Sequence, residues 1–188
     1  KYHASKNILE LKNIMLVCNQ LLLIEGKNYL TTADIQRIGS YLLRTTVWSK
    51  YNIILFANSP FLLNSEIGFK IAMRIVHNFD QMNDLRDIMG GLSDTVIAFI
   101  FKKKLDYAQQ LLDELRKVEL PPHFMFFDLS LTFLQRVIDY CHTGDEQPVL
   151  AIFNNLIQLN CSQHAQLLLE VFKDVKQIWE DDEWILQR

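Results

Sequence analysis

The sequence predicts an all-α fold: a right-handed superhelical array of antiparallel helix hairpins of the tetratricopeptide-like kind. Three observations predict it. Apolar residues recur at helical spacing along nearly the whole chain, and no stretch reads as a strand pair. A weak repeat also runs through the middle: Gly68-x3-Ala72-x2-Ile75, Ala108-x3-Leu112-x2-Leu115 and Val149-x3-Phe153-x2-Leu156 start 40 and then 41 residues apart. Tetratricopeptide units are shorter, at about 34 residues, but the logic is the same. One hairpin cannot bury its apolar face alone, so hairpins stack, and the 188 residues read as one such domain, 1–188.

Each element has its own signal. Over residues 9–24, Ile8, Leu11, Met15, Cys18 and Leu22 form one stripe and Ile14, Val17, Leu21 and Ile24 a second, which is wide enough to bury part against another subunit. Gly26 and Asn28 stop this helix. Thr31 and Asp34 make a capping box that opens a short helix with Ile35, Ile38, Leu42 and Leu43 inward. Trp48 begins the next helix, which ends before Ser59-Pro60 because a residue preceding proline avoids helical dihedrals. Asn64 caps a helix carrying Ile67, Ile71, Ile75 and Phe79.

The central helix is expected over 84–104. Leu85, Ile88, Leu92, Val96 and Phe99 form a core row. Beside it runs a mixed row: Arg86, Gly90, Ser93, Ile97 and Phe101. One cation, one glycine, one hydroxyl and two hydrophobes resemble the wall of a ligand groove more than a core; a solvated upper half above a packed lower half is the alternative. Lys102, Lys103 and Lys104 suit the negative end of the helix dipole.

Residues 105–118 are amphipathic, with Ala108, Leu111, Leu112 and Leu115 inward. Pro121-Pro122 punctuates. The helix over 123–140 has two apolar sides separated by a polar stripe of Asp128, Thr132, Gln135 and Asp139. Gly144-Asp145 turns the chain, and Pro148 sits in the first turn of a helix burying Val149, Ile152, Phe153 and Leu156. Ser162 caps the last clear helix, with Ala165, Leu168, Phe172, Val175 and Trp179 inward; Trp184-Ile185-Leu186 docks a final turn.

Composition narrows the function classes. The chain is 49% hydrophobic and 22% charged, with net charge −3, so nothing in the total predicts a nucleic-acid surface. No apolar run reaches the roughly 18 residues that cross a bilayer. The three cysteines, Cys18, Cys141 and Cys161, fit a reducing, cytoplasmic setting rather than a disulfide framework. Pairing Cys141-His142 with Cys161 and His164 as a metal site fails, because the intervening helix holds the pairs about 20 Å apart. There is no phosphate loop, zinc-protease motif or nucleophile elbow, so neither an enzyme nor a cofactor is expected. The chain opens at Lys1 with neither methionine nor signal peptide, and we expect an excised fragment whose preceding part carries a second function.

The surplus apolar rows and polar insertions fall on the first helix of each hairpin, which lines the concave side of such arrays. A binding groove is therefore expected, with Asn58, Arg86, Gly90, Ser93, Ile97, Phe101, Asp128, Thr132 and Gln135 as its residues. Polar side chains there would meet a peptide's backbone groups, which are costly to bury unpaired. Arg86 would meet a carboxylate, and Ile97 and Phe101 would meet apolar side chains.

Thr32-x-Asp34-Ile35, Trp48-x2-Tyr51-x3-Leu55-Phe56-x-Asn58, Ala108-x3-Leu112 and Leu159-Asn160-Cys161 together resemble the C-terminal regulatory domain of Rgg/GadR/MutR-type transcriptional regulators. The Trp-to-Asn segment is the most specific of these, and the resemblance runs from about Leu9 to Trp179. It implies a cytoplasmic homodimer that takes up a short hydrophobic signalling peptide, with DNA bound only by a helix-turn-helix domain preceding this chain and no membrane partner. The rivals are a protein-interaction scaffold, which would show no saturable binding of small peptides, and a ligand-independent dimerisation module, whose groove would be empty or filled by its own tail.

Overall fold

A computed structural model describes residues 8–79 and 85–180, and every described element is helical. The chain divides into two compact units, Lys1–Ala98 and Phe99–Arg188.

The first unit holds α1 (Ile8–Glu25), α2 (Thr32–Arg44), α3 (Lys50–Ala57), α4 (Ser65–His77) and most of α5 (Leu85–Phe101). Helix α1 packs on α2 and α3, and α2 packs on α4. Leu11, Met15, Ile38, Leu42, Leu55, Phe56 and Ile71 form the heart of its core, each at most 1% exposed. The Thr31 capping box forms as the sequence requires: the Thr31 hydroxyl oxygen accepts from the Asp34 N–H at 3.2 Å, and the Asp34 carboxylate accepts from the Thr31 N–H at 3.4 Å. At the other end of α2, the Arg74 guanidinium of α4 donates to the carbonyls of Leu43 and Thr45. A cation thus meets carbonyls that the helix itself leaves unpaired.

The second unit takes in the last turn of α5, then α6 (Leu105–Leu115), a 3-10 turn (Pro122–Phe124), α7 (Met125–Thr143), α8 (Gln147–Gln158) and α9 (Ser162–Glu180). Helix α6 packs on α7, α7 on α8 and α9, and α8 on α9. Rings thread this core, with Tyr140 edge-on to Phe172 at 5.0 Å, Phe172 to Phe153 at 6.2 Å, and Phe153 to Phe133 at 6.1 Å.

Several boundaries differ from the sequence expectation, each for a local reason. Helix α3 starts at Lys50 rather than Trp48, because the Ser49 hydroxyl caps it by accepting from the Asn52 N–H at 3.4 Å. Trp48 stands outside the helix, edge-on to Phe56 at 6.2 Å. Helix α5 ends at Phe101, because Lys103 turns left-handed (φ 54°) and the Lys104 N–H reaches back to the Phe99 carbonyl at 2.8 Å. Helix α6 stops at Leu115 rather than at Val118. The 3-10 turn delays α7 to Met125, and α9 begins on Ser162 itself, with Ile178 deeper than Trp179. Trp179 is half-buried because its indole N–H donates to the Ile100 carbonyl at 3.2 Å. The expected start of α5 at 84 and the turn at 184–186 lie outside the described residues.

Candidate ligand-binding face

Helix α5 has two unlike sides. Ile88, Met89, Leu92 and Val96 point into the first unit and are at most 1% exposed. Between them Gly91 lets two backbones approach: a Cβ at that position would lie 2.8 Å from Ala57 Cβ and 2.9 Å from its Cα. The Thr95 hydroxyl, also buried, donates to the Gly91 carbonyl at 2.7 Å.

The mixed row occupies the opposite side. Arg86 and Gly90 are exposed, Ser93, Ile97 and Phe101 are half-buried, and a Cβ at Gly90 would meet nothing within 4 Å. Two neighbouring glycines therefore do opposite jobs: Gly91 closes a helix–helix contact, and Gly90 leaves a gap. The Ser93 hydroxyl oxygen is buried and has no hydrogen-bond partner, an omission that costs about 1–3 kcal/mol when nothing meets it. Asn58, the C-cap of α3, follows the Ala57 that touches Gly91. Its amide N–H donates to the Ile54 carbonyl at 2.8 Å.

Asp94 belongs to this face, although the sequence reading did not select it. It lies one turn beyond Gly90 and two beyond Arg86, and that spacing was the signal available. Its carboxylate is reachable by solvent, yet surrounding protein pushes its pKa up to about 6 through desolvation.

The α7 candidates belong to the second unit and differ among themselves. Asp128 and Thr132 are exposed, and the Thr132 hydroxyl donates to the Asp128 carbonyl at 3.0 Å. Gln135 is committed to its own unit. Its amide N–H donates to Gln109 Oε1 at 2.9 Å and to Asp139 Oδ1 at 3.0 Å, and its Oε1 accepts from Gln109 at 3.0 Å and Arg116 at 2.9 Å.

Residues 1–170 match the family described as HTH-type transcriptional regulator Rgg, C-terminal domain. The chain belongs to the Rgg family. The crystal structure of RopB is similar to it with a TM-score of 0.75 and 21% identity, covering 93% of this chain and 80% of that one. The all-α helical-repeat class expected from the sequence is the fold this likeness shows. A structure of Regulator of Proteinase B, RopB, complexed with SIP matches with a TM-score of 0.45 and 22% identity, over 96% of this chain and 81% of that one. No curated protein matches the chain. Among the described residues, no helix of this Rgg domain is long and apolar enough to cross a membrane.

The Rgg domain also holds a polar cluster that sequence periodicity does not reveal. Lys12, on the inward side of α1, is only 6% exposed, and its ammonium lies 3.5 Å from the centroid of the Tyr41 ring and 5.3 Å from that of Tyr51. Tyr41 donates to Asn52 Oδ1 at 2.8 Å, and Tyr51 donates to Asn13 Oδ1 at 2.7 Å. The Lys12 side chain pulls the Tyr41 phenol below its ordinary pKa, with burial opposing. Cys141 is no counterpart to this chemistry, because burial pushes its thiol up to about 12 and leaves it a protonated packing group.

Proposed function

We propose that this Rgg domain is the sensing and dimerising part of a cytoplasmic transcriptional regulator. It takes a short hydrophobic peptide along the outer face of α5, and DNA is bound by a helix-turn-helix domain of the full-length protein. One observation carries the peptide reading: the buried Ser93 hydroxyl stands unpartnered beside the open space over Gly90. A bound peptide backbone fills that space and supplies the missing hydrogen bond, recovering a penalty the free protein bears. Arg86 and Asp94, about 12 Å apart along the helix axis, give the face one charge of each sign. Arg86 receives a carboxylate and Asp94 an ammonium or amide N–H, while Ile97 and Phe101 cover apolar side chains. Family membership supports the regulatory role, and the geometry of α5 supports the ligand class.

The test is isothermal titration of the chain with short hydrophobic peptides encoded beside its gene. Saturable binding is expected, with affinity falling about tenfold or more when Arg86→Ala and Ser93→Ala are combined. Unchanged affinity in that double variant would remove α5 as the site, and a lack of saturable binding by any such peptide would remove the ligand class.

A further inference from the structure

Helix α2 carries an outward face that peptide binding on α5 does not use. Its buried positions are Ile38, Gly39 and Leu42. Ala33, Gln36, Arg37, Ser40, Tyr41 and Arg44 line a cavity of about 640 Å³ along the helix. The hollow arises because Ala33 and Ser40 are short, while Gln36, Arg37, Tyr41 and Arg44 are long. Arg37 and Arg44 are seven residues, and so two turns, apart on one line, about 10 Å along the axis. Gln36, Ser40 and Arg44 are exposed, and among the described residues none of their side chains has a hydrogen-bond or ion-pair partner.

Charge decides what this hollow accepts. No carboxylate lines it. Asp34, the one acid of α2, is engaged at the helix start, where its carboxylate accepts from the Thr31 hydroxyl at 2.8 Å. Against the Tyr41 ring lies a further cation, the Lys12 ammonium, 3.5 Å from the ring centroid and on a side chain only 6% exposed. Among the described residues no carboxylate pairs with Lys12. A nearly buried cation without an acid is costly, and its field is little screened where water is excluded. The carbonyl end of α2 would repel an anion, but the Arg74 guanidinium donates to the Leu43 and Thr45 carbonyls there. The volume suits a small molecule, since such ligands occupy cavities of about 300–1,000 Å³. Duplex DNA needs a longer positive strip, and this chain carries net charge −3. A guanidinium fork matches pairs of phosphoryl oxygens, and an amide and a hydroxyl between two such forks serve the oxygens left over.

We propose that the outward face of α2 binds a small anionic molecule carrying phosphoryl groups, held between Arg37 and Arg44 with Gln36 and Ser40 on its remaining oxygens. This site is independent of the peptide reading and stands or falls without it. The experiment is calorimetric titration of the chain with inorganic pyrophosphate at fixed ionic strength. Beside the parent stand Arg37→Gln with Arg44→Gln, the single variant Lys12→Met, and a control, Lys117→Gln with Lys173→Gln, which removes two exposed cations of the second unit. Saturable binding is expected at one site per chain. Affinity should fall about tenfold or more in the arginine variant and about threefold in Lys12→Met, with native helicity in both, and should hold in the control. Unchanged affinity in the arginine variant, an equal loss in the control, or no saturable binding overturns the site. Unchanged affinity in Lys12→Met overturns the part assigned to the buried cation. A short DNA duplex of random sequence that binds more tightly than pyrophosphate through the same arginines overturns the small-molecule class.

Discussion

The two units solve the problem of an interior differently. Apart from the Tyr140 phenol, the buried polar side chains among the described residues lie in the first: Lys12, Asn19, Thr45, Asn52, Ser59 and Thr95. Thr45, Ser59 and Thr95 satisfy themselves locally, donating to the carbonyls of Tyr41, Phe56 and Gly91 at 2.7–3.0 Å. Lys12 and Asn52 depend on rings and side chains of other helices, and Asn19 Oδ1 has no partner. In the second unit the core is apolar and ring-lined, and the main side-chain network, Gln109 with Gln135, lies at the edge of α6 and α7. An apolar core gains from packing and is intolerant of loss; a core with polar insertions is specific but leaves hydrogen-bonding capacity unspent. Groups of that second kind, Ser93 above all, can take up a ligand. The peptide site proposed above lies on the outer face of α5.

Substitutions test this division. The largest effect belongs to the ring-lined core: Phe172→Ala should lower stability by about 3–5 kcal/mol in chemical denaturation, because the vacated space borders Tyr140 and Phe153 and cannot collapse. Next comes Asn52→Ala in the first unit, with a loss of about 1–3 kcal/mol from the bonds to Tyr41 and Val47. If that change proved harmless and Gln135→Ala severe, the contrast between the units would be reversed. The adjacent glycines give a sharper, smaller pair. Gly91→Ala should destabilise by about 1–3 kcal/mol by pressing on Ala57, whereas Gly90→Ala should stabilise by about 0.5–1 kcal/mol because nothing stands in its way.

The smallest effect is a pH dependence. The Asp94 carboxyl has its folded pKa raised from 3.8 to about 6, so the folded chain holds a proton that the unfolded chain releases. Its contribution to stability is fully present below pH 3.8 and is lost as pH rises through about 6. Asp94→Asn should flatten the stability profile across that window, and a carboxyl resonance titrating near 6 should vanish from the NMR spectrum. A midpoint at the ordinary carboxylate value would show that neighbouring protein does not desolvate Asp94.

Much of the fold was legible in the sequence because helices announce themselves by period. The stripes of α4 and α8 lie inward as their spacing implies, and Thr31 and Asn64 cap their helices, because such residue types have one common use before an apolar run. Ends were harder. The stop after Phe101 depends on a lysine adopting a left-handed conformation, which no composition rule favours, and the 3-10 turn before α7 follows from where Pro122 leaves the chain. The candidate face was half legible. The outward row of α5 followed from spacing, but Gln135 looked equally free until α6 placed Gln109 and Arg116 against it. The Lys12 cluster was hidden because its members come from three helices, and a lysine on an inward stripe carries no periodic mark.

Filling the open space over Gly90 tests α5 as the peptide site. Gly90→Trp places an indole where a side chain meets nothing within 4 Å, on the outer side of a helix whose core contacts it does not touch. In a calorimetric titration with the hydrophobic peptide that binds the parent chain, a variant of native helicity should show no saturable binding. Full affinity in that folded variant would contradict α5 as the sensing surface.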